Sequence, residues 1–183
     1  MAIEFRLTPQ ELLKIPLFES LNPYEAEVLL EIISTRVFSD KQVIFEQGTP
    51  GDALFVVLSG TVDIIKTLED KDARTIAQFG AQHTFGEMTM IFGEVSERTA
   101  SAVARGRCKL LIIYKDDFQK LITFGSLLAY KVALNISRLL SERLRQVDGA
   151  LIRFYNESDE GTRAVLETFI ERRKEILKDG EDS

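Results

Sequence analysis

The residues best suited to chemistry lie between Phe85 and Ser101. The run Phe85-Gly86-Glu87-Met88-Thr89 is followed, eleven positions after Glu87, by Arg98-Thr99-Ala100-Ser101. Glycine at 86 lets the backbone approach a ligand closely, because no Cβ stands in the way. Residues 87–91 suit one short helical turn, whose first N–H groups have no partner inside the turn and can face an anion. Arg98 carries a planar fork of donors that matches phosphate oxygens. Thr99 adds a hydroxyl, and Glu87 can accept from a sugar hydroxyl. An arginine, a carboxylate and backbone donors together describe a pocket for a sugar phosphate.

The other reactive side chains read as structural. Asp116 and Asp117 could form an acid/base pair, but they open a helical pattern, where negative charge near the N-terminus is favourable. His83 is the lone histidine and sits in a polar turn, so a metal site of several imidazoles cannot be built from one chain. Cys108 is the lone cysteine. It alternates with apolar positions and reads as a small core residue, and no intrachain disulfide can form. No nucleophile–base set and no metal-ligand spacing is apparent, so an enzyme is not expected.

Composition narrows the class further. The 183 residues are 45% hydrophobic and 28% charged, which is globular. The net charge of −6 argues against a broad nucleic-acid surface. The apolar stretch Leu127–Leu134 is broken by Lys131, and nothing approaches the ~18 apolar residues a membrane span needs. With no secretory signal at the N-terminus, a cytoplasmic protein without a membrane segment is the expectation.

The elements that must position the candidate residues follow from punctuation and period. Thr8-Pro9-Gln10-Glu11 and Asn22-Pro23-Tyr24-Glu25 are both capping signals with Pro at the first helical position. Apolar residues at helical spacing predict a helix over 23–34. From Arg36 to Tyr114, short runs rich in Val, Ile, Phe and Thr alternate with Gly, Asp and Ser, which predicts a sandwich or barrel. Ser59-Gly60 reads as a hairpin turn and Gly48–Asp52 as a second tight connection. Helical character returns at Lys115. Over 126–155, Tyr130, Ala133, Ser137, Leu140, Leu144, Val147, Leu151 and Phe154 step alternately by three and four. That is a heptad seam, and it predicts a homodimer through this helix, with burial against the β region as the competing reading. A last amphipathic helix is expected within 156–183.

In sum the segment resembles the phosphate-binding cassette of the cyclic nucleotide-binding domain family. The resemblance covers about residues 10–147 and includes LFESL, GTPGDALFVVLSGTVDI, FGEM, RTASA and the long helix. It implies an α+β fold: an antiparallel β-roll (a double-stranded β-helix or jelly roll) flanked by N-terminal helices and a long C-terminal helix. It implies a domain over 1–147, its long helix running on to about 155, and a helical extension over 156–183. The implied ligand is cAMP or cGMP, with no metal. Glu87 would bind the ribose 2′-hydroxyl, Gly86 and Met88 would lend backbone groups, Arg98 would hold the cyclic phosphate, and Thr99 would support it. The long helix would cover the base near Leu140, Arg143 and Leu144.

The expected function is therefore a cyclic-nucleotide sensor in which the ligand repositions the long helix and a dimer. The alternative is a scaffold that keeps the fold without the ligand, motivated by the Val95-Ser96-Glu97 insertion, which makes the loop before Arg98 about two residues longer than the family pattern. DNA binding by this chain is not expected. Only 36 residues follow Val147, with ten acidic and six basic side chains among them, too few and too negative for a recognition helix. A downstream protein partner would then carry the output.

Overall fold

A computed structural model describes residues 7–68, 72–91 and 97–179; within its last helix the side chains of Phe169 and of 172–179 are not described, nor is that of Ile91. By contacts the chain divides into two units, Met1–Ser137 and Arg138–Ser183.

The first unit opens with two short helices, α1 (Pro9–Leu12) and α2 (Pro23–Leu30), separated by a 3-10 turn at Pro16–Phe18. Both carry the reciprocal capping box expected of them. Thr8 Oγ1 accepts from the Glu11 N–H while Glu11 returns to the Thr8 N–H, and Asn22 and Glu25 repeat the exchange. Helix α2 ends four residues before the expected boundary. Ile33, read as helical from its spacing, instead begins strand β1 (Ile33–Phe38), whose register on β6 starts at Ile33↔Ile113. The β-branched run Ile32-Ile33 with Thr35 is at home in a strand, and long-range pairing overrides the local period.

The sheet is antiparallel throughout. Strands β2 (Val43–Phe45), β3 (Ala53–Thr67), β4 (Ala73–Phe79), β5 (Thr84–Phe85) and β6 (Ser101–Tyr114) join β1 in the order β1-β6-β3-β4, with β2 on β6 and β5 on β3. The two long strands β3 and β6 form its spine. The first was expected as two strands joined at Ser59-Gly60. Ser59-Gly60 is not a hairpin turn but a bulge inside β3. The register steps from Val57↔Leu110 through Ser59↔Lys109 to Thr61↔Arg105, and Gly60 (φ +89°) lies against Arg107 and Cys108, just after Gly106 (φ +70°). The demand for positive φ was legible; that a bulge rather than a turn meets it was not, because β6 pairs with β3 on both sides of Gly60.

Register shifts along the β3–β6 ribbon accompany its curl into a roll around one apolar cluster. Its buried members include Phe38, Phe55, Val57, Phe85, Leu110 and Ile112, with Phe45, Ile64 and Phe79 among the residues packed against it. Leu54, Val56, Leu111 and Ile113, of opposite parity, are equally buried, so this half of the ribbon is covered on both faces. Helix α4 (Lys115–Thr123) then begins with Asp116 and Asp117 in its first turn, as expected.

Helix α5 (Leu127–Glu157) begins in the first unit, where Leu128, Ala129, Val132, Asn135 and Ile136 are buried. Asn135 Nδ2 donates to Leu17 O and Ser20 Oγ at 2.9 Å each. Lys131 Nζ reaches both Glu25 oxygens at 2.8 Å. In the second unit α5 continues, followed by α6 (Glu160–Asp179), where Asp159 Oδ1 accepts from Thr162 N–H at 2.8 Å. Arg163 Nη2 donates to Asn156 O at 2.8 Å. No helix among the described residues is long and apolar enough to cross a membrane.

Two outcomes follow. Gly60→Ala places a Cβ 2.6 Å from Arg107 O and 2.9 Å from Cys108 Sγ at a left-handed φ. It should lower the unfolding free energy by about 2–4 kcal/mol in urea denaturation; a loss under ~0.5 kcal/mol would mean the bulge is soft. At Glu25, burial opposes ionisation, but hydrogen bonds from Lys131 and the Asn22 N–H, with the charge of Lys131, outweigh it and hold the carboxyl below its ordinary value. Ionised Glu25 therefore stabilises the fold above its unfolded pKa, and the contribution disappears as pH falls through the lower folded value. Glu25→Gln should cost about 1–2 kcal/mol at pH 7 and converge with the parent in strong acid. Parallel stability curves at all pH would count against the pair.

Candidate functional site

Arg98 is fixed by its backbone first. Its N–H donates to Thr49 O and its carbonyl accepts from the Gly48 N–H, both at 2.8 Å. Beside it Glu97 bridges Pro50. The turn Gly48–Asp52, made possible by φ +78° at Gly48 and clamped by Thr49 Oγ1 on Glu46 O at 2.6 Å, thus runs alongside the arginine. Arg98 does not begin a strand; it lies three residues before β6 in this bridged segment.

The side chain is almost wholly withdrawn from water, and the chain supplies acceptors in water's place. Nη2 donates to Ala53 O at 2.9 Å and to Asp52 Oδ1 at 3.2 Å. Nη1 donates to Thr89 Oγ1 at 3.1 Å and, at a longer 3.4 Å, to Gly86 O. The buried Nε has no hydrogen-bond partner among the described residues. The guanidinium also stacks 4.2 Å above the Phe45 ring and 5.6 Å from Phe55, at the edge of the layer formed by Phe55, Phe85 and Phe79. Burial pushes its pKa down, while the charge and hydrogen bond of Asp52 and the charge of Glu87 resist the shift. Arginine stays protonated through such a change, so the site holds a permanent buried cation.

Two elements bring the cassette to that cation. Gly86 follows β5 at φ +75°, and a Cβ there would stand 2.7 Å from Arg98 Nη1, 3.0 Å from Ala53 O and 3.3 Å from Phe55. Both backbone conformation and space therefore demand glycine. The single turn α3 (Met88–Ile91) follows, closed by Met90 N–H on Glu87 O at 2.9 Å, with Glu87 and Thr89 buried.

Of the residues singled out by sequence, Gly86, Glu87 and Arg98 converge. Met88 opens α3 with its side chain exposed. Thr99 is exposed, and its carbonyl accepts from Lys66 Nζ at 2.5 Å. Leu140, Arg143 and Leu144 lie on one side of α5 in the second unit. Of the longer loop, Val95 and Ser96 fall outside the described residues, and Glu97 is the bridged residue beside Pro50. His83 is exposed, its ring 5.9 Å from that of Phe79. No group of His, Cys, Asp and Glu suited to a metal ion occurs among the described residues.

Sequence reasoning missed Asp52, Thr89 and Phe45. The carboxylate bonded to Arg98 is Asp52, 46 positions earlier and not one of its neighbours in sequence. The signal available was the Gly51-Asp52 turn, which explains itself without any distant arginine.

Known proteins bear on this arrangement. Over 133 residues the chain is 37% identical to the cyclic AMP receptor protein of Thermus thermophilus, a match that takes in 73% of this chain and 59% of that protein, so the chain spans about three fifths of the relative's length. Among solved structures, a cyclic nucleotide-binding domain from Methylobacillus flagellatus superposes with a TM-score of 0.68 at 29% identity, covering 75% of this chain and 79% of that one. The Thermus thermophilus catabolite activator protein gives a TM-score of 0.64 at 36% identity, covering 76% and 64%. A family model described as the cyclic nucleotide-binding domain matches residues 35–123, a span that holds every group placed around Arg98; with these relatives it shows that residues 35–123 belong to the cyclic nucleotide-binding domain family.

Proposed function

We propose that the chain is a regulatory protein, not an enzyme, whose first unit binds cAMP or cGMP. The observation that carries this reading is the buried, permanently charged Arg98 next to the buried carboxylate Glu87. A cation desolvated to this degree is costly unless an anion repays it. In this reading Arg98 takes the cyclic phosphate and Glu87 accepts from the ribose 2′-hydroxyl. Gly86 and Met88 contribute backbone groups, and Thr99 supports the phosphate from the rim. The base lies against the roll, and α5 closes over it through Leu140, Arg143 and Leu144.

The same helix supplies the output. Its first turns bury Leu128, Ala129, Val132, Asn135 and Ile136, a face distinct from the heptad seam. Tyr130, Leu144, Val147 and Phe154 of that seam are each more than half exposed. In our reading a second copy of the chain covers the seam, and nucleotide binding shifts the dimer between two arrangements, which a downstream protein partner senses.

One observation favours a second reading, a scaffold of this fold that needs no ligand: every terminal N–H of Arg98 already has an acceptor within the chain. Exchange answers it. The Asp52 side chain is 75% exposed against 4% for Arg98, so the carboxylate can swing into water while the phosphate takes its place at Nη2.

Cyclic nucleotide at a hundredfold excess over Kd should stabilise the protein by roughly 2.7 kcal/mol, read as a rise in Tm. No rise with either nucleotide at millimolar concentration selects the scaffold. Arg98→Lys keeps the charge but loses the fork, and it should weaken binding by about 2–3 kcal/mol in calorimetry; equal affinity would refute the phosphate assignment. Asp52→Asn removes the resident competitor and should tighten binding about threefold to tenfold, whereas weaker binding would mean that Asp52 only positions Arg98.

A further inference from the structure

We propose that Thr89 is a ligand-contacting residue of this site, donating its hydroxyl proton to the phosphate while its oxygen keeps accepting from Arg98. The inference rests on the cyclic-nucleotide reading and deepens it. Four acceptors surround the terminal nitrogens of Arg98, and they differ in what they can do. Gly86 O and Ala53 O are backbone and cannot donate. Asp52 is mostly in water and can leave. Thr89 is buried on α3 and has nowhere to go, so it stays when the ligand arrives.

A hydroxyl accepts and donates at once, and its proton rotates to suit. Thr89 Oγ1 accepts from Arg98 Nη1 at 3.1 Å. Among the described residues its own O–H has no acceptor, although the side chain is buried. An oxyanion seated on the same guanidinium lies within reach of that proton. Arg98 Nε, buried and without a partner among the described residues, is a second donor left over at the same place. The site thus holds two donors out of water with no acceptor for either among the described residues, as expected where an external acceptor is to bind. A phosphate bearing several oxygens satisfies both.

The test uses the full chain with the parent cyclic nucleotide and its two phosphorothioate diastereomers, in which sulfur replaces one or the other exocyclic oxygen. Thr89→Val keeps the shape and deletes the hydroxyl; Thr89→Ser keeps the hydroxyl. Thr89→Val should weaken binding of the parent about tenfold, and Thr89→Ser should stay within about twofold. In Thr89→Val the penalty for sulfur should shrink by a similar factor for one diastereomer and stay unchanged for the other, because the lost donor served one oxygen. Unchanged affinity in Thr89→Val, or an equal loss for the parent and both diastereomers, overturns the proposal and leaves Thr89 as a support for Arg98. If the unmodified protein binds neither cAMP nor cGMP, the nucleotide reading itself fails and this inference falls with it.

Discussion

Taking one guanidinium out of water is the constraint around which this fold is arranged. The desolvation of Arg98 is opposed by acceptors drawn from three places: the turn before β3, the glycine after β5 and the single turn of α3. Asp52 and Ala53 are far along the chain from Gly86 and Thr89. Each is brought in by the β3–β6 spine, whose register also places Phe55 opposite both Ile112 and Phe85. The arginine's backbone is laced to Gly48 and Thr49, so the side chain is delivered to the same spot regardless of its own rotamer freedom. Removing Gly86 would undo several of these at once, since its missing Cβ is the space the guanidinium occupies.

The parts of this architecture that were legible in the sequence are those decided within a few residues. Thr8 and Asn22 announce their helices because the capping partner is three positions away. Gly86-Glu87 and Arg98 announced an anion site because their types are unusual together. What was not legible depended on distant partners. Gly60 shows that positive φ is needed, but only pairing with β6 on both sides distinguishes a bulge from a turn. Ile33 fits a helical period and a strand equally well until Ile113 is placed opposite it. Asp52 has a complete local explanation as a turn residue, which is why its bond to Arg98 could not be read. Thr89 reads in the sequence as one more residue of a short turn, and its link to the site emerges only once Arg98 Nη1 lies 3.1 Å away.

Helix α5 illustrates how a single element can hold two apolar stripes with different purposes. The stripe that includes Val132 and Ile136 is used up inside the first unit, locked by Asn135 and by the Lys131–Glu25 pair. The stripe that includes Tyr130 and Leu144 is offset from it and remains at the surface. A heptad pattern alone does not say which stripe faces inward. The polar Asn135 does, because a buried amide with two acceptors, Leu17 O and Ser20 Oγ, marks the face that has been desolvated.

The position of Cys108 has a practical consequence. Its thiol lies at the bulge, fully enclosed, with Sγ donating to Thr61 O and Gly60 packed against it. It is the only sulfhydryl in the chain. An alkylating reagent reaches it only when β3 and β6 part, so the rate of its modification clocks the opening of the roll without any label having to be introduced.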